Sequence, residues 1–135
     1  MSLRYLLDTN IISDLIRRPQ GTVAQRITKL GEASVCTSII VAAELRFGGE
    51  KSGSQTLIER IDLVLSAMEV LPLESPVDRH YAKIREYLAR RGTPIGPDDL
   101  LISAHARALG LTVVTANSNE FSRVQDLQFE NWLSQ

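Results

Sequence analysis

Short apolar runs alternate with longer amphipathic stretches along the chain. The runs are too short for helices and are typical of buried strands, and Pro72 inside one of them indicates a sheet edge or a strand end. Strands are predicted at residues 3–7, 35–37, 70–73 and 111–115, with one more in the tail around 127–129.

Between these runs, apolar residues recur at spacings of three and four, which is typical of helices packed on a core. The Gly48-Gly49 pair and the polar stretch to Ser54 are expected to loosen or end the helix that carries Glu44. Strands alternating with helices predict one α/β domain over residues 1–135, with a mostly parallel sheet flanked by helices. Helices are predicted from Asn10 to about 16, at 23–30, from Ser38 past Glu44, and at about 57–68, 76–91 and 98–109.

The composition of the 135 residues narrows the function. A formal net charge of −1 gives no general attraction to nucleic acid, so any such binding must use a local basic patch. Cys36 is the single cysteine, which excludes an internal disulfide and predicts a buried, inert thiol in a reducing cytoplasm. No signal peptide is visible, and Glu44 interrupts the best candidate for a membrane span.

Carboxylates and one side-chain amide follow or interrupt several of the apolar segments. Asp8 follows the first predicted strand, Glu44 lies within an apolar helix, Asp98 and Asp99 begin another helix, and Asn117 follows a later strand. In open α/β sheets, sites form at the carboxyl ends of the strands. Oxygen ligands suit a hard divalent cation, Mg²⁺ or Mn²⁺, and such a cation suits chemistry on phosphates.

Structural explanations compete with this interpretation. Asp8 and Asn10 are typical helix-capping residues, and acids in a first turn, such as Asp98 and Asp99, offset the helix dipole. Glu44 shares a helical stripe with apolar residues, so a buried carboxylate there needs a metal ion or a cation such as Arg46. His80 and His105 have no partner at zinc-ligand spacing, and His105 is expected to be packed or hydrogen-bonded within its helix.

Taken together in order and spacing, four segments resemble the PIN-domain ribonucleases, specifically the VapC-type toxins of bacterial VapBC toxin–antitoxin systems. The resemblance covers essentially the full length and implies a three-layer α/β fold with an acidic pocket for Mg²⁺ or Mn²⁺. The segments are Leu7-Asp8-Thr9-Asn10-Ile11-Ile12, residues 38–48 around Glu44, residues 95–102 around Asp98-Asp99, and residues 111–121 around Asn117.

The resemblance also implies roles for individual residues. Asp8, Glu44 and Asp99 match the metal-binding acids, and the uncharged Asn117 occupies the fourth acidic position as a further catalytic residue. Asp98 falls at a variable position and is given a supporting role. The polar residues expected to orient ligands or water are Thr9, Asn10, Ser38 and Thr115.

A toxin of this family is expected to hydrolyse RNA, preferably tRNA, with water activated by the metal. It is expected to act in the bacterial cytoplasm, to form homodimers and larger assemblies, and to be neutralised by a VapB-like antitoxin, through which alone it meets operator DNA. The amphipathic helices 23–30 and 57–68 are candidates for the antitoxin groove. Basic candidates for RNA contacts near the acids are Arg17, Arg18, Arg46, Lys51 and Arg107.

Two other interpretations stay open. A haloacid-dehalogenase-like phosphatase would use Asp8 as a nucleophile, but it needs a second acid two residues later, where the chain has Asn10, and an activating lysine that cannot be placed. A catalytically inactive PIN-like RNA-binding module would lack metal ligands, whereas Asp8, Glu44 and Asp99 are all present.

Overall fold

The protein is described by a computed structural model that covers residues 2–133. Its centre is a five-stranded sheet in the order β3-β2-β1-β4-β5, and all four strand pairs are parallel. The inner strands β1 and β2 are buried throughout, as expected for a parallel sheet covered on both faces. The strands are β1 Tyr5–Leu7, β2 Val35–Ser38, β3 Glu69–Leu71, β4 Thr112–Val114 and β5 Phe129–Glu130.

Helices connect and flank these strands, which confirms the predicted α/β fold. Asp8 caps the first helix by accepting a hydrogen bond from the N–H of Thr9, and Ser38 caps the third by accepting one from the N–H of Ile40. The helices are α1 Thr9–Arg17, α2 Thr22–Leu30, α3 Ile39–Ser52, α4 Gln55–Ser66, α5 Val77–Arg90, α6 Pro97–Leu109 and α7 Ser118–Phe121, with a 3₁₀ turn at Glu32–Ser34.

Two apolar clusters stabilise the helices on the sheet. The larger one surrounds β1, β2 and β4 and includes fully buried side chains such as Leu6, Ile12 and Val113. The smaller one joins α5 to α6 through residues such as Ile84, Leu88 and Ala104. Because β1 runs parallel to β2 and β4, the carboxyl ends of these strands share one edge of this well-packed sheet. The polar residues that follow the strands are brought together at that edge.

Helix α3 ends within the stretch expected to end it, at Ser52, with Gly53 in the left-handed conformation, but the Gly48-Gly49 pair itself does not interrupt the helix. A Cβ at position 49 would lie 3.0 Å from Cδ1 of Ile61 and 3.2 Å from Cγ1 of Ile58. Gly49 thus allows α3 and α4 to approach closely, and packing overrides the low helix propensity of glycine.

Other predicted elements differ at their boundaries. The strand expected at 127–129 forms at Phe129–Glu130, and the short helix α7 was not predicted. Pro72 directly follows β3, and β3 is an edge strand of the sheet. The prediction that Pro72 marks a sheet edge or a strand end is therefore confirmed. Within residues 2–133, no helix combines the length and apolar character needed to cross a bilayer.

Candidate active site

Three of the predicted site residues lie at the carboxyl edge of adjacent strands. Asp8 directly follows β1, Ser38 ends β2, and Thr115 directly follows β4. Because β1 lies between β2 and β4, with Leu7 opposite Val114, these residues occupy neighbouring positions along the edge. Glu44, in the second turn of α3, and Asp98 and Asp99, in the first turn of α6, are the remaining predicted acids of this edge.

Asp8 is buried, with only 5% of its surface exposed. The Thr115 hydroxyl donates a hydrogen bond to Oδ2 at 2.8 Å, and the Thr9 N–H donates one to Oδ1 at 2.8 Å. Burial raises the pKa of Asp8 despite these two donors, and the nearby Glu120 carboxylate adds to the rise. A buried carboxylate with both oxygens oriented is thus fixed at the centre of the site.

Glu44 lies beside Asp8, and the Thr9 hydroxyl donates a 2.5 Å hydrogen bond to its Oε1. Burial raises the pKa of Glu44 to about 7, and the carboxylates of Asp98 and Asp8 reinforce the shift. The expected alternative, an ion pair with Arg46, is wrong, because Arg46 instead pairs with Asp62 at 2.5 Å on the surface. Within residues 2–133, Glu44 has no ion-pair partner within 4.0 Å, so it faces the other acids without a directly paired cation.

Asp99 forms a second acidic pair, with Glu120. The Asn117 side-chain amide donates to Oδ2 of Asp99 at 2.8 Å and also to the Glu120 carboxylate, so it links the two. The Gly96 N–H donates to Oε1 of Glu120 at 2.8 Å. Burial, together with Glu120 and Asp8, raises the pKa of Asp99 to about 7, whereas the pKa of Glu120 is lowered by its Asp99, Gly96 and Asn117 partners.

Glu120 was not among the residues selected from the sequence. A signal was available, since Asn117 and Glu120 have the Asn-x-x-Glu spacing of a helix-capping box. Recognising α7 from that spacing would have placed Glu120 one turn beyond Asn117 and within reach of the same acids.

The supporting residues occupy distinct positions. Asp98 is exposed and neighbours Glu44, so it contributes negative charge as well as lying in the first turn of α6. Asn10 accepts a long hydrogen bond, 3.4 Å, from the N–H of Ala116. Ser38 lies 2.9 Å from Nδ1 of His105, so His105 is buried and hydrogen-bonded as expected, but to a partner outside its own helix. Ser38 thus orients the α3 N-terminus and contacts no described carboxylate.

The basic candidates do not all surround the acids. Arg17 lines a cleft of about 300 Å³ together with Thr9 and Glu44. Arg18 pairs with the buried Asp14 one turn earlier in α1, and Lys51 is exposed near the end of α3. Arg107 lies near the far end of α6, where it contacts His80 of α5, so its expected position beside the acids is wrong. Helical geometry explains this, because eight residues separate Arg107 from Asp99, or roughly 12 Å along the helix axis.

The donor set fits a hard divalent cation in its chemistry. Every candidate ligand is an oxygen donor, and the one cysteine, Cys36, is buried with its pKa raised to about 12. The carboxylates are arranged as the pairs Asp8–Glu44 and Asp99–Glu120, each ordered by hydroxyl or amide donors. In the described part of the chain, no three Asp, Glu, His or Cys side chains converge closely enough to form a complete ligand set as they stand.

Comparison with known proteins identifies the family. The PIN domain model matches residues 5–127. A tRNA(fMet)-specific endonuclease VapC of Shigella flexneri is 37% identical over 131 residues, which are 96% of this chain and 98% of the relative. A ribonuclease VapC2 of Haemophilus influenzae is 37% identical over 132 residues, covering 97% and 99% of the two chains.

Solved structures agree with this relationship. The crystal structure of VapBC2 from Rickettsia felis, bound to a DNA fragment from its promoter, superposes with a TM-score of 0.90 and 34% identity, over 98% of this chain and 99% of that one. The resemblance inferred from the four sequence segments is therefore confirmed across the chain. The chain belongs to the PIN-domain family and, within it, to the VapC-type ribonucleases.

Proposed function

We propose that the protein is an endoribonuclease that depends on Mg²⁺ or Mn²⁺ and acts as the toxin of a type II toxin–antitoxin pair. The observation that carries the proposal is the presence of two carboxylate pairs, Asp8–Glu44 and Asp99–Glu120, at the same carboxyl edge, with raised pKa values at Asp8, Glu44 and Asp99. Clustered acids without a compensating cation destabilise one another, and a divalent ion relieves that repulsion. Asp8, Glu44 and Asp99 would hold the ion, with Glu120 as a further oxygen donor.

The remaining polar residues keep the acids oriented. Thr115 and Thr9 hold both oxygens of Asp8, and Thr9 also fixes Glu44. Asn117 holds Asp99 and Glu120 side by side. When bound, a divalent cation neutralises charge on a phosphodiester and makes water a stronger nucleophile. Arg17, beside Glu44 in the adjoining cleft, offers a guanidinium to a neighbouring phosphate.

The substrate we propose is tRNA. The Shigella flexneri relative is named for cleavage of tRNA(fMet), and at 37% identity it matches almost the full length of both chains. A tRNA is much larger than the acidic site, so recognition requires contacts beyond it. We place this activity in the bacterial cytoplasm, where tRNA is found.

We propose a VapB-like antitoxin as the partner, in agreement with the VapBC complexes among the related structures. The helices expected to form its groove, α2 and α4, line a common cleft of about 310 Å³ with α1. Its walls include Leu15, Ile27, Val64 and Met68, which suit the apolar face of a partner segment. Two related complexes hold DNA, and we propose that this protein meets operator DNA only through the antitoxin and forms a homodimer within the larger assembly.

The test is cleavage of a labelled tRNA pool with Mg²⁺ or Mn²⁺ by the wild type, Asp8→Ala and Asp99→Asn. Asp78→Asn, an exposed acid at the start of α5, serves as the matched control. Discrete cuts that disappear in both site variants and with a chelator, but persist in the control, would support the proposal. Cuts that persist in the site variants would contradict the site. Absence of cleavage with metal binding retained would instead favour a catalytically inactive RNA-binding module.

A further inference from the structure

A second cleft lies outside the acidic site, between α5, α6 and the loop that follows α7. It has a volume of about 690 Å³. We call it the basic cleft, and it is lined by Arg79, His80, Lys83 and Tyr87 of α5, Arg107 of α6 and Gln125 of the loop.

The basic cleft concentrates positive charge in a chain whose formal net charge is −1. Arg79, Lys83 and Arg107 contribute three cations, against one carboxylate, Asp126. Within residues 2–133, none of the three cations has a carboxylate oxygen within the 4.0 Å of an ion pair. Like charges gathered in a cleft repel one another and create a local positive potential, which an anion would neutralise.

Arg107 is held in place by uncharged partners. Its Nε donates to Nδ1 of His80 at 2.9 Å, and its Nη1 donates to the carbonyl oxygen of Gln125 at 3.1 Å. Neither acceptor carries a formal charge, so the guanidinium is oriented without losing its positive charge. Since Nδ1 of His80 accepts this bond, the neutral ring carries its proton on Nε2, which adds a hydrogen-bond donor to the cleft wall.

The basic cleft extends away from the acidic site along α5. Only residues 91–96 connect α5 to α6, so the C-terminal end of α5 lies near the N-terminal end of α6, where Asp99 is found. Tyr87 therefore lies toward the acidic site, and His80 and Arg107 lie at the far end. A ligand lying along α5 would extend away from the acids for roughly 16 Å, the length of the eleven residue-to-residue steps from Pro76 to Tyr87.

We propose that the basic cleft binds the phosphodiester backbone of the RNA substrate at a distance from the scissile bond. The identity of the ligand rests on the proposed ribonuclease function. Guanidinium and ammonium groups with free donors suit phosphate oxygens, and a long RNA can reach both the cleft and the acids. The cleft thereby supplies the local basic patch that a weakly acidic chain requires to hold RNA.

The test measures binding of a fluorescein-labelled single-stranded oligouridine by anisotropy over a range of salt concentrations, with a chelator present so that no cleavage occurs. The cleft variant combines Arg79→Gln with Lys83→Gln. The control combines Arg85→Gln with Arg90→Gln, which removes two positive charges from the same helix. Arg85 and Arg90 donate to Tyr81 and Glu86 and do not line the basic cleft. Thermal unfolding of both variants verifies that they remain folded.

The slope of log K against log salt is negative, and the cleft variant should make it shallower by about 1.4, since each phosphate contact contributes about −0.7 for a single strand. The control should leave the slope unchanged. Equal slopes in the cleft variant and the wild type, or equal losses in both variants, would overturn the proposal. Tighter, cleft-dependent binding of a poly-glutamate peptide than of the oligouridine would also overturn it and would assign the cleft to an acidic protein.

A separate assay measures cleavage of tRNA by the wild type with Mg²⁺, so that the proposed function is tested independently of the basic cleft. Failure of the wild type to cleave would contradict the proposed function, while cleft-dependent RNA binding would still support the cleft. Cleavage by the wild type together with an unchanged slope in the cleft variant would overturn the cleft alone.

Discussion

The hydroxyl of Thr9 donates a hydrogen bond to the carboxylate of Glu44, and so connects the start of α1 to the middle of α3. The backbone N–H of the same Thr9 donates to Asp8. One residue thus orients two acids that come from different elements. Hydrogen bonds of this kind hold metal-ligating side chains in a productive geometry.

Replacing the Thr9 hydroxyl should therefore reduce activity more than stability. Thr9→Val keeps the shape and the backbone N–H but releases Glu44, and we expect RNA cleavage to fall by about 10- to 100-fold. Thr9→Ser should restore most of the activity because it retains the donor. Thr28→Val is the control, since the Thr28 hydroxyl donates to the Ala24 carbonyl on an exposed helix face. Equal activity in Thr9→Val and the wild type would contradict a role for this bond.

Glu120 should control the protonation of Asp99. Neutralising it by Glu120→Gln removes a nearby negative charge that raises the pKa of Asp99, so this pKa should fall from about 7 toward its ordinary value. Carbon-13 NMR of the Asp carboxyl groups, recorded against pH without metal, measures the change. Glu86→Gln on the exposed face of α5 should leave the Asp99 titration where it is. An Asp99 pKa that does not move in Glu120→Gln would show that burial and Asp8, rather than Glu120, set it.

The α/β order was predictable because strands and helices differ in the period of their apolar residues. Asp8, Ser38 and Asn117 could be placed beyond strand ends because the carboxyl ends of parallel strands share an edge. These inferences depend on local patterns and one topological rule, and the parallel sheet agrees with them.

What could not be predicted depends on contacts between distant segments. The pairing of Arg46 with Asp62 and the contact of Arg107 with His80 both depend on how two helices are rotated against each other. Gly49 disrupts a helix by propensity, yet Ile58 and Ile61 of α4 require it. Apolar spacing locates a helix face but does not fix such rotations or close approaches.

The unloaded protein should lose stability as the pH rises. The pKa values of Glu44 and Asp99 rise on folding from 4.5 and 3.8 to about 7, so the folded state binds more protons than the unfolded state between these limits. The free energy of unfolding due to these groups therefore decreases as the pH rises from about 4 to about 7, and it is constant above that.

The two histidines change stability with pH in the opposite direction, so their contribution must be distinguished from that of Glu44 and Asp99. His80 and His105 have pKa values lowered from 6.5, so they increasingly favour folding as the pH rises toward 6.5. The measurement is therefore urea unfolding with a chelator at several pH values, comparing the wild type with a Glu44→Gln, Asp99→Asn double variant. We expect the double variant to gain stability relative to the wild type as the pH rises toward 7. A difference independent of pH would contradict the raised pKa values.

Arg17 and Arg18 are adjacent in sequence but should differ in their effects. Arg18 pairs with Asp14, whose side chain is only 6% exposed, whereas Arg17 lines the cleft beside Glu44. Arg18→Ala leaves a buried carboxylate with fewer partners and should lower the free energy of unfolding by about 1 kcal/mol. Arg17→Ala should preserve stability and weaken RNA binding. Denaturant unfolding measures the change in stability, and fluorescence anisotropy measures the change in RNA binding. Identical behaviour of the two variants would contradict a structural role for Arg18 and an RNA-binding role for Arg17.

The two neighbouring glycines in α3 provide the sharpest test of its packing. In Gly49→Ala the new Cβ must displace Ile58 and Ile61 of α4, so we expect a loss of about 1–3 kcal/mol in the free energy of unfolding. At Gly48 a Cβ meets no atom within 4 Å, so Gly48→Ala should gain about 0.5–1 kcal/mol from its higher helix propensity. Both changes add the same methyl group to the same helix. Since propensity favours alanine at both positions, a loss at 49 with a gain at 48 can come only from the contact with α4, and equal gains would contradict that contact.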